Sequence, residues 1–348
     1  MSVVLVIGAA GFVGGWVIKS LYSAGFVNIR AGVTSTTRTP QIEHVPVQPI
    51  RVDILDSQSL AAAMHGVEIV INCTRGTAES DVALEGTRKL LASAANRGVR
   101  RLIQMSSVAV YGQALGTVTE DTAPIAPLSK YAADKLAAEA LCRTAASEQL
   151  KVAIIRPSLV YGPCGEEWTA RFIRAIACGQ LGQLGPAGDG DANLIYAGDL
   201  GRFAAYLAEA DLPPCSVYNA NGIEIPTFNE YFDHLSQALG FGALAPSGRR
   251  TIGGELTRQA RRAGRFLLRN QIARFRHLTA PSRLLTRSLD KAENMVRLGV
   301  HDGPPDQYAQ RVIYSIDRTR QIGFVPQTTV EEGVEASVLW ARSHGMRI

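Results

Sequence analysis

The chain has 348 residues, of which 46% are apolar and 19% charged, and a net charge of +5. That balance belongs to a globular protein and excludes a disordered, collagen-like or disulfide-scaffold chain. The five cysteines form no CxxC pair and stand beside no histidine cluster, so neither a structural metal site nor a full disulfide framework is expected, and reduced thiols point to a cytoplasmic setting.

Strand and helix signals alternate from the start. Residues 3–7 (VVLVI) form an apolar, β-branched run of the kind buried in a parallel sheet, followed by a glycine-rich turn and a helical stretch from Phe12 to Ala24. The apolar stretch 3–18 has no basic segment before it, and Gly8, Gly11, Gly14 and Gly15 interrupt it, so a secretion signal is not expected. Further strands are predicted at 27–33, 47–52, 67–72, 101–105 and 152–155, and helices at 57–65, 79–96, 129–148, 200–210 and 227–239. Repeated βαβ units predict a doubly wound α/β fold, a Rossmann sheet of parallel strands. The rhythm breaks after Gly165, where glycine and proline crowd residues 179–190. The expected division is a dinucleotide-binding domain over 1–165, with 195–215 returning to it, and a smaller substrate-binding region over 166–348.

Gly8, Gly11 and Gly14 form GxxGxxG between a strand and a helix. The first glycine permits the tight turn, the second lets backbone approach a diphosphate, and the third lets helix pack on strand. Gly8, Gly11, Phe12, Val13 and Gly14 are therefore the expected contacts of a dinucleotide, at a helix N-terminus that favours anions. The second strand runs into Val33-Thr34-Ser35-Thr36-Thr37-Arg38, with no acid to hold a ribose 2′-hydroxyl. Thr34 and Arg38 suit a 2′-phosphate, which favours NADP over NAD; the competing reading is a polar surface loop. Asp53 and Ile54 follow the third strand, where a carboxylate can accept from an adenine amine; the competing reading is a cap on the helix near Asp56 and Ser57.

Tyr131 and Lys135 lie four apart, on one face of a predicted helix. An ammonium beside a phenol favours the phenolate, so such a pair moves protons at a carbinol oxygen. Ser107, just past the strand 101–105, is placed to hydrogen-bond the same oxygen. An exposed helix face and a turn serine are the plainer readings of these residues.

Together the pieces GAAGFVG (8–14), VDILD (52–56), EGTRKLLASAANRGVRRLIQMSSVAVYG (85–112), YAADK (131–135), IIRPSLVYGP (154–163), AGDL (197–200) and VYNANG (217–222) resemble the extended short-chain dehydrogenase/reductase family, the NAD-dependent epimerase/dehydratases. The tail 317–342 resembles the family's closing segment. The resemblance implies a catalytic Ser107, an acid/base Tyr131, a Lys135 that lowers the tyrosine pKa and binds nicotinamide ribose, and an Asp53 that touches adenine. Three departures concern the substrate: Ser158 stands where nucleotide-sugar enzymes of the family carry Asn, DANLIYAGDL lacks their Arg, and Ala83 replaces another Asn.

The leading expectation is an NAD(P)-dependent oxidoreductase acting on a secondary alcohol or ketone. A nucleotide-sugar epimerase or dehydratase with tightly bound NAD is the alternative, and a non-catalytic NAD(P)-binding scaffold a third. Between Arg249 and Arg287 stand eleven arginines and one acid, Glu255. That basic helical insert, 249–290, is expected to meet an anionic membrane surface or cover an anionic substrate, and solvated arginines are the competing reading. Nucleic acid is not an expected partner, and a homodimer is left open.

Overall fold

A computed structural model describes residues 2–35, 41–76, 82–245 and 308–346. Its centre is a seven-stranded, wholly parallel sheet. In chain order its strands are β1 (Val4–Ile7), β2 (Ile29–Val33), β3 (Gln48–Arg51), β4 (Ile69–Asn72), β5 (Arg101–Met105), β7 (Lys151–Pro157) and β10 (Cys215–Ala220). They lie side by side as β3-β2-β1-β4-β5-β7-β10. The order reverses between β1 and β4, and the crevice above their carboxyl ends is where such sheets bind ligands.

Helices cover both faces, as apolar strands buried on two sides require. Helices α1 (Phe12–Ser23) and α6 (Ala197–Glu209) close one core with Val4, Val6, Ile71, Ile103 and Ile155. Helices α2 (Ser57–Ala63), α3 (Leu84–Asn96) and α4 (Lys130–Ala145) close the other with Leu5, Ile7, Val70, Leu102 and Ile154. Strand residues therefore alternate between two cores, which is why central strands such as β1 (VLVI) and β4 (IVIN) read as nearly continuous apolar runs.

The main sheet takes its last strand from Cys215–Ala220, beyond the 195–215 stretch assigned to it from sequence. Its residues pair with β7 from Val152 to Pro157. The other region has its own core. There α5 (Arg171–Ala177), α7 (Phe228–Leu239) and a C-terminal helix, Val330–Ser343, bury Phe172, Phe228, Tyr231, Phe232 and Val334. Thr227 with Glu230, and Thr329 with Glu332, form capping boxes that fix where two of these helices begin. Two short parallel pairs complete the fold: β6 (Gly116–Val118) with β11 (Val312–Tyr314), and β8 (Leu159–Tyr161) with β9 (Leu194–Tyr196). Asp199, in the AGDL segment, accepts from the backbone N–H groups of Gln327 and Thr328 and so ties the chain's closing segment to α6.

Candidate active site

The turn after β1 has the form that its glycines require. Gly8 has φ +80°, and a Cβ there would stand 3.1 Å from the Cys73 backbone. A Cβ on Gly14 would stand 2.1 Å from the Gly8 carbonyl oxygen, so any side chain would push helix α1 off the turn. Gly11 is the N-cap of α1; no side chain caps this end and the first turn has no acid. The leading N–H groups of a helix have no partner within it, and an uncapped end over a glycine cradle suits an anion. The residues therefore fit the diphosphate of a dinucleotide. Phe12 packs toward Gly165 at the entrance to the other region.

Thr34 is exposed just past β2. Asp53 is exposed just past β3; its Oδ1 accepts from Leu55 N–H at 2.9 Å. Asp56, not Asp53, caps α2. Ile54 is buried against Gly86. Register places these residues on the carboxyl edge with Gly8, since Val33 pairs with Arg51 and Ile7 with Gly32. Arg38 and the basic stretch 249–290 lie outside the described residues.

Ser129 caps α4, its Oγ accepting from Ala132 N–H at 3.2 Å, so Tyr131 stands in the first turn and Lys135 one turn on. Tyr131 stands beside Ser107, which N-caps the short 3₁₀ turn Val108–Tyr111, its Oγ accepting from Ala109 N–H at 3.1 Å. The Lys135 ammonium donates to the Met105 carbonyl at 2.7 Å and lies 3.3 Å from that of Thr74. Ser107, Tyr131 and Lys135 thus gather at the carboxyl ends of β4 and β5.

Burial dominates the electrostatics of these side chains. Lys135 stands 5.9 Å from the Tyr131 ring centre and faces backbone carbonyls. Burial raises the Tyr131 pKa above its ordinary value near 10, and the contacts with Ser107 and Arg75 oppose that rise. Burial also lowers Lys135 to about 8, because an ammonium in an apolar setting loses its water. The same effect lifts the neighbouring Cys73 thiol to about 12.

Two residues that the sequence reading passed over join the site. Arg75 lies past the end of β4, with its guanidinium 5.7 Å from the Tyr131 ring centre. Its Nη2 is 2.8 Å from Oε1 of Glu167, which belongs to the π-helical turn Glu166–Ala170 of the other region. An arginine just past a predicted strand, on the ligand-binding edge of the sheet, was the available signal. Ser158, by contrast, is turned inward: its hydroxyl donates to Asn221 Oδ1 at 2.8 Å. A separate groove of about 880 Å³ lies at the amino ends of the strands, lined by Phe26, Ile69, Arg101 and Lys151, at the opposite edge from this site.

The family model described as NAD dependent epimerase/dehydratase family matches residues 4–220. The chain belongs to that family. It is 28% identical over 247 residues to the N-acetyl-alpha-D-glucosaminyl-diphospho-ditrans,octacis-undecaprenol 4-epimerase of Escherichia coli O157:H7, covering 68% of this chain and 72% of that one. It is 26% identical over 253 residues to the 2-alkyl-3-oxoalkanoate reductase of Stenotrophomonas maltophilia, covering 68% and 76%. The fold is also that of a UDP-glucose 4-epimerase from Thermotoga maritima solved with UDP-glucose, with a TM-score of 0.70 at 18% identity over 98% of this chain and 99% of that one. The family and the parallel sheet agree with the reading from sequence, and the chain is an NAD(P)-dependent enzyme of a family that holds epimerases and reductases. Among the described residues, no helix is long and apolar enough to cross a membrane, and no group of three or more His, Cys, Asp or Glu side chains could hold a metal ion.

Proposed function

We propose that this enzyme works at a secondary carbinol carbon of a diphosphate-linked sugar, inverting it through a ketone as a 4-epimerase does. The observation that carries the reading is the gathering of Ser107, Tyr131 and Lys135 at the carboxyl edge of the sheet, with the Lys135 ammonium 5.9 Å from the Tyr131 ring centre. When bound, NAD(P) supplies the hydride acceptor and donor. Ser107 and Tyr131 hold the substrate oxygen between them. Tyr131 takes the hydroxyl proton on oxidation and returns it on reduction. Lys135, fixed by the Met105 carbonyl, is proposed to meet the nicotinamide ribose. Gly8, Gly11, Phe12, Val13 and Gly14 are proposed to hold the cofactor diphosphate, Asp53 and Ile54 the adenine, and Thr34 and Arg38 the ribose 2′ position.

The 4-epimerase relative, matched over two thirds of both chains, supports this choice. Ser158 favours a second reading, a ketone reductase on a substrate that is not a nucleotide sugar. Its buried hydroxyl is spent on Asn221 and offers no carboxamide to a sugar or base. Net consumption of NAD(P)H as the alcohol is released separates the two, since an epimerase leaves the cofactor unchanged over a cycle. Both readings share the acid/base. Tyr131→Phe is expected to keep cofactor affinity and to cut turnover by roughly 10² or more. A variant retaining more than about a tenth of the wild-type rate would remove Tyr131 from that role.

A further inference from the structure

The sequence delivers Arg75 to the reacting centre by a specific local device. Buried Asn72 ends β4, and its Oδ1 accepts from both the N–H of Thr74, at 3.1 Å, and the Thr74 hydroxyl, at 2.8 Å. That closes the turn and fixes the backbone from which Arg75 departs. Thr74 also offers its carbonyl to the Lys135 ammonium, so the segment that carries Arg75 is anchored to the catalytic helix. The guanidinium then lies over the Tyr131 ring, 5.7 Å from its centre, and its side chain remains 65% exposed. Guanidinium has five N–H donors in a planar fork, and Glu167 is within reach of one nitrogen, Nη2, at 2.8 Å. Glu167 is itself 57% exposed, so a carboxylate entering the cleft can share or replace it without burying a charge alone.

Two cations therefore stand over the Tyr131 ring, and one of them, Arg75, is open to solvent. We propose that Arg75 recognises a carboxylate carried on the carbon next to the reacting carbinol carbon, so that the substrate is a β-hydroxy or β-keto carboxylate. The inference rests on the reading of Tyr131 as the group that holds the carbinol oxygen. With that oxygen at Tyr131, an anion paired with a guanidinium over the same ring lies a short carbon chain away. Both readings of the function can meet this requirement. A uronic sugar joined to a nucleoside diphosphate has its carboxylate on the carbon next to the C4 carbinol, and an open-chain 3-hydroxy acid has the same arrangement. Arginine suits the task because its fork matches a carboxylate in two parallel hydrogen bonds.

The test uses two matched pairs of probes with the full chain: UDP-glucuronic acid against UDP-glucose, and 3-hydroxybutanoate against butane-1,3-diol. Calorimetric affinity for the enzyme saturated with NAD⁺ and kcat/KM are both measured, and the quantity read is the ratio of acid to neutral partner. Wild-type enzyme is expected to favour the acid by about tenfold or more in one pair, the usual worth of hydrogen bonds to a charged group. Preference in the first pair identifies a nucleotide uronate, and in the second an open-chain acid. Arg75→Ala is expected to bring that ratio close to one, Arg75→Lys to restore part of it, and Glu167→Gln to keep or raise it. A wild-type ratio near one in both pairs overturns the proposal. A ratio unchanged in Arg75→Ala does so as well. So does a loss of ratio in Glu167→Gln equal to that in Arg75→Ala, which would mark the pair as a latch between the two regions. Tyr131→Phe distinguishes the levels of failure. An inactive Tyr131→Phe with no acid preference removes only the role of Arg75, whereas an active one removes the reading on which it rests.

Discussion

Glu139 grips Arg156 through both carboxylate oxygens, 2.9 Å from Nε to Oε1 and 2.6 Å from Nη2 to Oε2, with both side chains buried one turn beyond Lys135. Ser106 donates to the same carboxylate, and Arg156 donates to the Tyr111 hydroxyl at 2.8 Å. Tyr111 in turn donates to Asn219 Oδ1, in the edge strand β10. The network therefore joins α4 to the end of β5 and to β7 and β10. Removing one partner strands the other charge in an apolar setting.

Glu139→Ala is accordingly expected to cost about 3–5 kcal/mol of unfolding free energy, measured by urea denaturation. The double variant Glu139→Leu with Arg156→Met should be less destabilised than the sum of its single changes, because no charge is left unpaired. Additive losses would mean that the two residues act separately.

Lys135 gives a pH dependence with a definite sign. Its folded pKa is about 8, below the unfolded value of about 10.4. Below pH 8 both states carry the proton and stability does not change on its account. Between the two values the unfolded chain binds more protons than the folded one, so stability rises with pH, by on the order of 3 kcal/mol across the window. Compared with Lys135→Met, the wild-type protein without cofactor is expected to gain stability from pH 7.5 to 9.5. Parallel pH profiles of the two proteins would show that Lys135 does not titrate there.

Much of this was legible because it is local. The glycine turn, the alternation of apolar strands with helices, and the spacing of Tyr131 and Lys135 all act over short stretches of sequence. What was missed depends on distant partners. Strand β10 is recognisable only through its pairing with β7, and β6 finds its partner at Val312, nearly two hundred residues on. The partner of the Lys135 ammonium was hidden for the same reason. Helical spacing puts the two on one face, but the Met105 carbonyl, which no spacing rule supplies, takes the ammonium. Arg75 and Glu167 are ninety-two residues apart, and only the fold brings them together over Tyr131.

Gly14→Ala tests the cofactor cradle. The new Cβ would sit 2.1 Å from the Gly8 carbonyl oxygen and 2.9 Å from the Ala9 Cα, both backbone atoms that cannot swing aside. Overpacking of this kind costs about 1–3 kcal/mol or more. Affinity for NAD(P) should fall further still, because the displaced helix carries the amides of Phe12 and Val13. Gly66→Ala is the control: it has φ +70° but open space around its Cβ, so it should cost about 1 kcal/mol and leave cofactor binding intact. Equal loss of cofactor affinity in both variants would show that general destabilisation, and not the cradle, is responsible.

The last prediction concerns the choice between NAD and NADP. The family takes its description from NAD, and this chain departs from what an NAD site needs. Strand β2 ends at Val33, and the exposed Thr34 and Ser35 follow where an acid would hold the ribose 2′-hydroxyl. The nearest acid just past the neighbouring strand, Asp53, has Oδ1 committed to the Leu55 N–H. The sequence continues Thr36-Thr37-Arg38, with hydroxyls and a cation suited to a phosphate and no carboxylate to repel one. NADP(H) is therefore expected to bind at least as tightly as NAD(H) in calorimetric titrations of the wild-type protein. If Arg38 serves the 2′-phosphate as proposed, Arg38→Ala should weaken NADP(H) by about tenfold and leave NAD(H) nearly unchanged. Binding of NAD(H) tenfold tighter than NADP(H), about 1.4 kcal/mol, would reverse the assignment. An Arg38→Ala loss shared by both cofactors would place that arginine on the common diphosphate instead.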